Sequence, residues 1–314
     1  MADASDEGPE AHAGPDGATR DAVVAEAVGA LKRFSMLPDV TLRIVDLVNS
    51  NESSAQELHK VVSTDPALCV RILKVANSAF YGLRQPVTSV ERAVTLLGGE
   101  AIKTIALAAS FGRLIRVHGQ GSSSPARDLW LHSLAVAAGA RAIAQAAALE
   151  DAEEVFLAGL LHDIGFIVQL QHRPDGFAEL LRLRAAGEHP GLDIEDDVFG
   201  ANHQDFGRGL CESWHLPQTF GRVIGSHHDP LALEGRARAV ASAVYLADLL
   251  AAQGSLGFMP GTPAGPGSAA AAAALGLAEA ALEPLAAALP AMTRELHAVL
   301  GEQSAGAENL SGGS

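Results

Sequence analysis

Seven side chains in the back half of this 314-residue chain have the types and spacing of a metal pocket: His132, His162, Asp163, His203, His227, His228 and Asp248. Neutral imidazoles and carboxylates together suit Fe, Mn, Zn or Co. Helical spacing gives each of them apolar company. His132 shares a face with Leu129, Ala135, Val136 and Gly139, and His162 with Val155, Ala158 and Gly159. His203 lines up with Phe206, Gly207, Leu210 and Trp214. His227 lies over Val223 and Ile224, His228 over Ile224, and Asp248 over Ala241, Val244 and Tyr245. These are i, i+3, i+4 and i+7 relations, so the polar groups point where the helices point their apolar sides. A buried imidazole or carboxylate must be paired, hydrogen-bonded or bound to a metal. A metal-free, hydrogen-bonded polar core is the alternative that the pattern leaves open.

The remaining histidines, His12, His59, His118, His172, His189, His215 and His297, fall in loops, at helix ends or on polar faces, and read as solvated or capping groups. Glu153-Glu154 and Glu195-Asp196-Asp197 read as solvated faces, and Trp130 and Trp214 as core anchors. His162-Asp163 is placed at a helix end, where Gly165 frees the backbone.

The elements that must position the seven are helices. Hydrophobic residues make up 48% of the chain, much of it alanine and leucine, and aromatics only 4%. That composition favours helix over strand and predicts an all-α fold. Periodicity and capping signals predict helices from Arg20 to Phe34, Pro38 to Asn49, Ser54 to Val62, Pro66 to Asn77, Thr88 to Leu97 and Glu100 to Val117. Ser54 with Glu57 and Thr88 with Glu91 have the spacing of capping boxes. A Gly/Ser-rich stretch from His118 to Pro125 marks a boundary. Further helices are predicted at 127–148, 152–171, 174–187, 192–214, 217–228 and 235–252. The expected organisation is a disordered acidic tail over 1–19, an N-terminal bundle over 20–120 and a second helical subdomain over 126–252. A flexible linker over 253–274, a C-terminal helix over 275–300 and a loose tail over 301–314 complete it.

The formal net charge of −15 sets the chain against nucleic-acid backbones and anionic membranes. Its two cysteines, Cys69 and Cys211, sit in apolar helical contexts and read as reduced thiols. No hydrophobic signal core opens the chain and no stretch reads as a membrane span, so a cytoplasmic location is expected.

In the order His132, His162-Asp163, His203, His227-His228, Asp248, the seven resemble the HD superfamily of metal-dependent phosphohydrolases, which includes the HD-GYP cyclic-dinucleotide phosphodiesterases. The front half narrows the resemblance. Asp65-Pro66-Ala67-Leu68, Asn77-Ser78-Ala79-Phe80-Tyr81-Gly82, Ser89-Val90-Glu91-Arg92-Ala93 and Leu96-Leu97-Gly98 are similar to the HDOD family, HD-related output domains of bacterial signalling. Trp130-Leu131-His132-Ser133, Leu161-His162-Asp163-Ile164-Gly165, Asn202-His203 and Trp214-His215-Leu216-Pro217 fit the same family.

The resemblance implies two helical parts, an HDOD bundle followed by an HD-like bundle. It also implies one or two divalent ions. His132, His162, Asp163 and Asp248 would hold the first, and Asp163 would bridge to a second held by His203, His227 and His228. Asn77, Ser78 and Tyr81 become landmark residues of a candidate contact surface. Two departures from the active HD-GYP pattern weigh against catalysis. Phe166 stands where those enzymes carry a lysine, and His227-His228 is followed by Asp229-Pro230 instead of the Gly-Tyr-Pro signature. The expected function is therefore a regulatory signal-transduction module acting through protein partners without catalysis. The alternative is a metal-dependent phosphohydrolase of cyclic dinucleotides or nucleotides.

Overall fold

The computed structural model describes residues 17–34, 39–50, 55–117, 124–187, 191–259, 265 and 267–301. Of the tails expected over 1–19 and 301–314, residues 1–16 and 302–314 lie outside the described residues, as do the capping serine at 54 and most of the 118–125 boundary, whereas residues 17–19 belong to the first helix and not to a tail. Among the described residues there is helix and no strand. The front half comprises α1 (Gly17–Phe34), α2 (Asp39–Asn49), α3 (Ala55–Val62), α4 (Pro66–Ala76), α5 (Val90–Leu97) and α6 (Gly99–Val117). The back half runs α7 (Pro125–Ala146), α8 (Ala152–Leu161), α9 (Gly165–His172), α10 (Pro174–Ala186), α11 (Asp193–Phe199), α12 (His203–Ser213), α13 (Gln218–Ile224) and α14 (Gly235–Gln253). Two further helices follow, α15 (Ser268–Ala274) and α16 (Glu283–Leu300).

The chain starts its helices with side chains that take up free backbone N–H groups. Asp65 accepts from Leu68 N, Ser124 from Arg127 N, and Asn202 forms a capping box with Asp205. The α5 cap is Ser89, which accepts from Arg92 N, one residue beyond the expected Thr88.

Several helices are shorter than periodicity predicts. The stretch 152–171 is two helices, broken at His162–Ile164, and 192–214 is two, broken at Gly200–Asn202. The helix expected to reach 228 stops at Ile224. Each break precedes or holds a member of the histidine–aspartate set. The 253–274 stretch is no plain linker, because it contains α15, with Ala271 and Ala272 buried. The last helix begins at Glu283, after a 3₁₀ turn over Glu279–Leu282.

The front bundle is built around α6, against which α2, α4 and α5 pack, and the back half around α7, against which α8, α14 and α16 pack. α6 also packs on α7 and α8, and the Phe111 ring of α6 stacks on Trp214. α1 departs from the expected division, because its main neighbours are α9 and α12 of the back half. Gly209 makes this possible, since a Cβ there would lie 2.5 Å from Val24 Cγ1. Arg20 fastens the contact with ion pairs to Asp196 at 2.8 Å and Asp205 at 2.6 Å.

The landmark loop after α4 is tied inward. Asn77 caps α4 and clamps Val87 with both ends of its amide, donating to Val87 O at 2.8 Å and accepting from Val87 N at 2.7 Å. Ser78 Oγ donates to Val75 O, and Tyr81 OH donates to Glu153 of α8, which also accepts from Arg141 of α7. Glu153 is thus an internal anchor and not a solvated carboxylate. The α16 residue Glu295 accepts from Phe80 N at 2.8 Å, so α16 joins the two halves.

Residues Ala152–His172 reach the length and mean hydropathy of a membrane span, contrary to expectation, but 83% of that window is buried inside the fold. They also carry His162 and Asp163, at the break between α8 and α9.

Candidate metal centre

All seven residues are buried and converge. His132 and Asp248 come from the bodies of α7 and α14, and His203 opens α12. His162, Asp163, His227 and His228 sit in the turns just past α8 and α13, where the chain leaves the helical path and adjacent side chains can face the same point. Gly165 matters for a reason other than backbone freedom. A Cβ there would lie 1.9 Å from His203 O, so only glycine lets α12 close on the His162-Asp163 turn.

The outer nitrogen of four imidazoles faces an acceptor. Nδ1 of His132 lies 2.9 Å from Leu256 O, that of His162 2.8 Å from Gly159 O, and that of His227 2.8 Å from Ile224 O. Nδ1 of His203 lies 2.9 Å from Glu195 Oε1. Carbonyls and carboxylates only accept, so each Nδ1 carries the proton and donates it. Nε2 is the inward atom in every case, and these atoms crowd together. His132 and His162 face each other at 3.2 Å, His203 and His227 at 3.3 Å, and His203 and His228 at 3.1 Å. Lone pairs at such distances repel unless a proton or a cation lies between them. Two nitrogens on one cation at about 2.1 Å stand roughly 3.0–3.4 Å apart, which fits the spacing found.

Asp163 occupies the middle. Its Oδ2 lies 3.3 Å from His162 Nε2 and 3.4 Å from His132 Nε2, while its Oδ1 lies 3.4 Å from His203 Nε2 and 3.6 Å from His227 Nε2. Asp248 Oδ1 stands 3.3 Å from His132 Nε2. The groups His132–His162–Asp163 and His203–His227–His228 could each hold a metal ion, with one Asp163 oxygen turned to each group.

The electrostatics agree. Burial alone would raise the Asp163 carboxyl, but the imidazoles around it, His162 foremost, hold it well below its usual range. Burial likewise pulls His132 down, but Asp163 and Asp248 outweigh it and push the imidazole up to about 10. His228 is held well below its usual value by burial first and then by His227 and His203.

Sequence reasoning missed Glu195. It is fully buried and serves as the hub of a support network. It accepts from His203 Nδ1, from His203 N at 2.6 Å, from Gln169 Nε2 at 2.9 Å and from Arg184 NH2 at 2.6 Å. A carboxylate behind a ligating histidine fixes its tautomer and raises its basicity. The available signal was Phe199, four residues on, which puts Glu195 on an apolar helix face.

Aromatic rings line the pocket. Phe166 stacks on the His203 ring at 4.3 Å, and Phe258 meets Phe166 edge-on at 5.4 Å. With Met259 and Arg184 they wall a cavity of about 30 Å³ beside His132, Asp163 and Asp248.

Residues 34–230 match the HDOD domain family. The chain belongs to the HDOD family. An HDOD domain protein of unknown function from Geobacter sulfurreducens is 25% identical, with a TM-score of 0.74 over 88% of this chain and 99% of that one. A protein of Marinobacter aquaeolei VT8, provisionally named for signal transduction, is 23% identical with a TM-score of 0.71 over 90% and 65% of the two chains. A protein of Shewanella amazonensis SB2B, provisionally named a phosphohydrolase, is 22% identical with a TM-score of 0.71 over 90% and 99%. Among curated relatives, an uncharacterized protein of Treponema pallidum is 24% identical over 210 residues, 66% of this chain. This HDOD chain spans 40% of that relative's length.

Proposed function

We propose that this HDOD protein is a non-catalytic regulatory module, built around a buried centre for one or two divalent metal ions and acting through protein partners. The observation that carries the reading is the small volume of the pocket. Sites for nucleotide-sized ligands run to roughly 300–1,000 Å³, against the cavity of about 30 Å³ here. Phe166 takes the place where a cation would steady charge on a phosphoryl oxygen, and its ring covers His203 instead. The names of the solved relatives point to signalling in one case and hydrolysis in the other, and at their identities they speak to fold.

Protein partners fit the net charge of −15 and the exposed apolar side chains Leu42, Val70 and Leu96 of the front bundle. With metal bound, the centre would supply a rigid, charged core, and the chain's own residues would orient it through Glu195 and the backbone acceptors of the imidazoles. The reading is tested by incubating metal-loaded protein with cyclic dinucleotides and nucleotides in Mn²⁺, Fe²⁺, Mg²⁺ or Co²⁺. No turnover is expected. A metal-dependent rate abolished by Asp163→Ala would overturn it.

One observation favours a second reading, a metal-dependent phosphohydrolase: all seven positions of the HD-type ligand set are present and meet. That activity needs the Phe166–Phe258–Met259 wall to open, so Phe258→Ala would raise any hydrolysis. On the first reading it leaves the chain inactive.

A further inference from the structure

His203 stands immediately past the Gly200–Asn202 break between α11 and α12, and the break is tied twice. The inner tie is Glu195, which accepts from His203 N and Nδ1. The outer tie begins at the next residue. Asp196 Oδ1 accepts from Asn202 Nδ2 at 3.3 Å, and Asp205 Oδ2 accepts from Asn202 N at 3.4 Å. These two carboxylates repel each other across the break. Arg20 of α1 stands between them, with NH1 2.8 Å from Asp196 Oδ1 and 2.6 Å from Asp205 Oδ2. The three side chains are only 22%, 16% and 13% exposed, so water screens them less than it screens a surface pair. α1 also lays Val23 on the break. Gly200, at φ +80°, is the left-handed residue that turns the chain, and a Cβ there would lie 3.5 Å from Val23 Cγ2.

The clasping helix is lightly seated. It buries Val24, Ala27, Val28 and Leu31, and its neighbours are mainly α9 and α12. Grooves of about 450 Å³, over Leu170 and Pro174, and about 710 Å³, over Glu212 and Ser213, run along it. An element with few buried apolar contacts opens well below the free energy of global unfolding.

We propose that α1 is a releasable clasp on the α11–α12 junction, and that Arg20 is the positioning residue through which it aims His203 and sets the metal affinity of the His203–His227–His228 group. The last part rests on the metal reading above and names how that centre is regulated. With α1 docked, Arg20 neutralises Asp196 and Asp205 and fixes the spacing of α11 and α12, so Glu195 reaches both the ring and the backbone of His203. With α1 lifted, two partly buried carboxylates face each other without a cation, the junction loosens and the ring loses its fixed aim. Four residues separate α1 from α2, so the clasp also ties the front bundle to this junction.

The test pairs hydrogen exchange, read by mass spectrometry on the metal-free full-length protein, with calorimetric titration by Mn²⁺. Arg20→Ala should speed exchange over residues 196–206 by about tenfold or more and leave α7 and α14 at the wild-type rate. It should weaken Mn²⁺ about 3–10-fold, less than the roughly 10–100-fold of a residue that touches a ligand directly. Arg20→Lys keeps the cation and should restore most of both. On the wild type, raising sodium chloride from about 0.05 to 0.5 M should speed the same amides selectively, because salt screens the ion pairs. Exchange that is unchanged at the junction, or faster evenly along the chain, overturns the clasp. A looser junction with unaltered Mn²⁺ affinity overturns Arg20 as a positioning residue. Wild-type protein that takes up no metal removes the metal reading alone, and exchange then decides the clasp by itself.

Discussion

Glu195 grips His203 twice, accepting from its Nδ1 at 2.9 Å and from its backbone N at 2.6 Å. The ring is thereby fixed with its Nε2 lone pair turned to His227 and His228. Glu195→Gln removes the charge that makes His203 a strong ligand. Supporting residues of this kind are worth about 10–100-fold in metal affinity, and that loss is expected by calorimetric titration. The variant also strands the buried Arg184 cation, for a stability cost of about 3–5 kcal/mol. Adding Arg184→Met to Glu195→Gln should return much of the stability and none of the metal affinity. Recovery of both would show that Glu195 serves the fold alone.

Chelation should destabilise the loaded protein. A ligand at a hundred times its Kd stabilises by about 2.7 kcal/mol, which for a domain of this size is a shift of roughly 5–10 °C in Tm. Thermal unfolding with and without a chelator, on protein of known metal content, measures it. An unchanged Tm on stripping the metal would sink the reading of the histidine cluster as a metal centre.

Much of this was legible in the sequence because the polar set sits on apolar helix faces. Helical spacing placed His132 and Asp248 correctly, as both lie inside long helices. Gly165 marked the helix end at His162-Asp163, but no such signal showed that His227 and His228 lie in a turn, since turn residues one or two apart point together only when the helix ends there. The docking of α1 on α12 escaped for a different reason. Its apolar face, Val24, Ala27, Val28 and Leu31, announces burial but not against what. Glu195 and Glu153 were read as solvated because a carboxylate's partner is set by tertiary packing, here Arg184 and Arg141.

Gly165→Ala should be far more damaging than a typical Gly-to-Ala change. The added carbon would lie 1.9 Å from His203 O and 2.7 Å from His203 C, both backbone atoms that cannot step aside. Either α12 moves, taking His203 from the cluster, or the chain fails to fold. Expression as soluble, metal-replete protein with wild-type Tm would contradict the packing described.

Asn77→Ala removes two hydrogen bonds that hold the 77–87 loop closed. Its effect should fall on stability, about 1–3 kcal/mol by denaturant unfolding, with metal content unchanged. Loss of metal at unchanged stability would place Asn77 in the centre's service instead.

The metal-free protein should carry its own substitute for the missing cation, a proton on His132 shared with Asp163 and Asp248. That imidazole is pushed from 6.5 up to about 10, the two carboxylates outweighing burial. A folded-state value above the unfolded one contributes stability that is complete below pH 6.5 and disappears as pH rises through 10. Asp163 and Asp248 are held low by the same contacts, so their contribution is present above their usual value of 3.8 and lost as pH falls. His132 alone should therefore weaken the apo protein as pH rises from about 6.5 toward 10, while His227 and His228, held low by burial, withdraw stability as pH falls below 6.5. Metal binding runs the other way, because a ligating imidazole must first give up this proton. Metal affinity should rise about tenfold per pH unit from 6.5 to 9, with at least one proton released per chain loaded. Paired measurements of apo Tm and metal Kd across that range check both slopes. A metal affinity flat with pH would mean that His132 is neutral in the apo protein, and that the two carboxylates are balanced by something other than its charge.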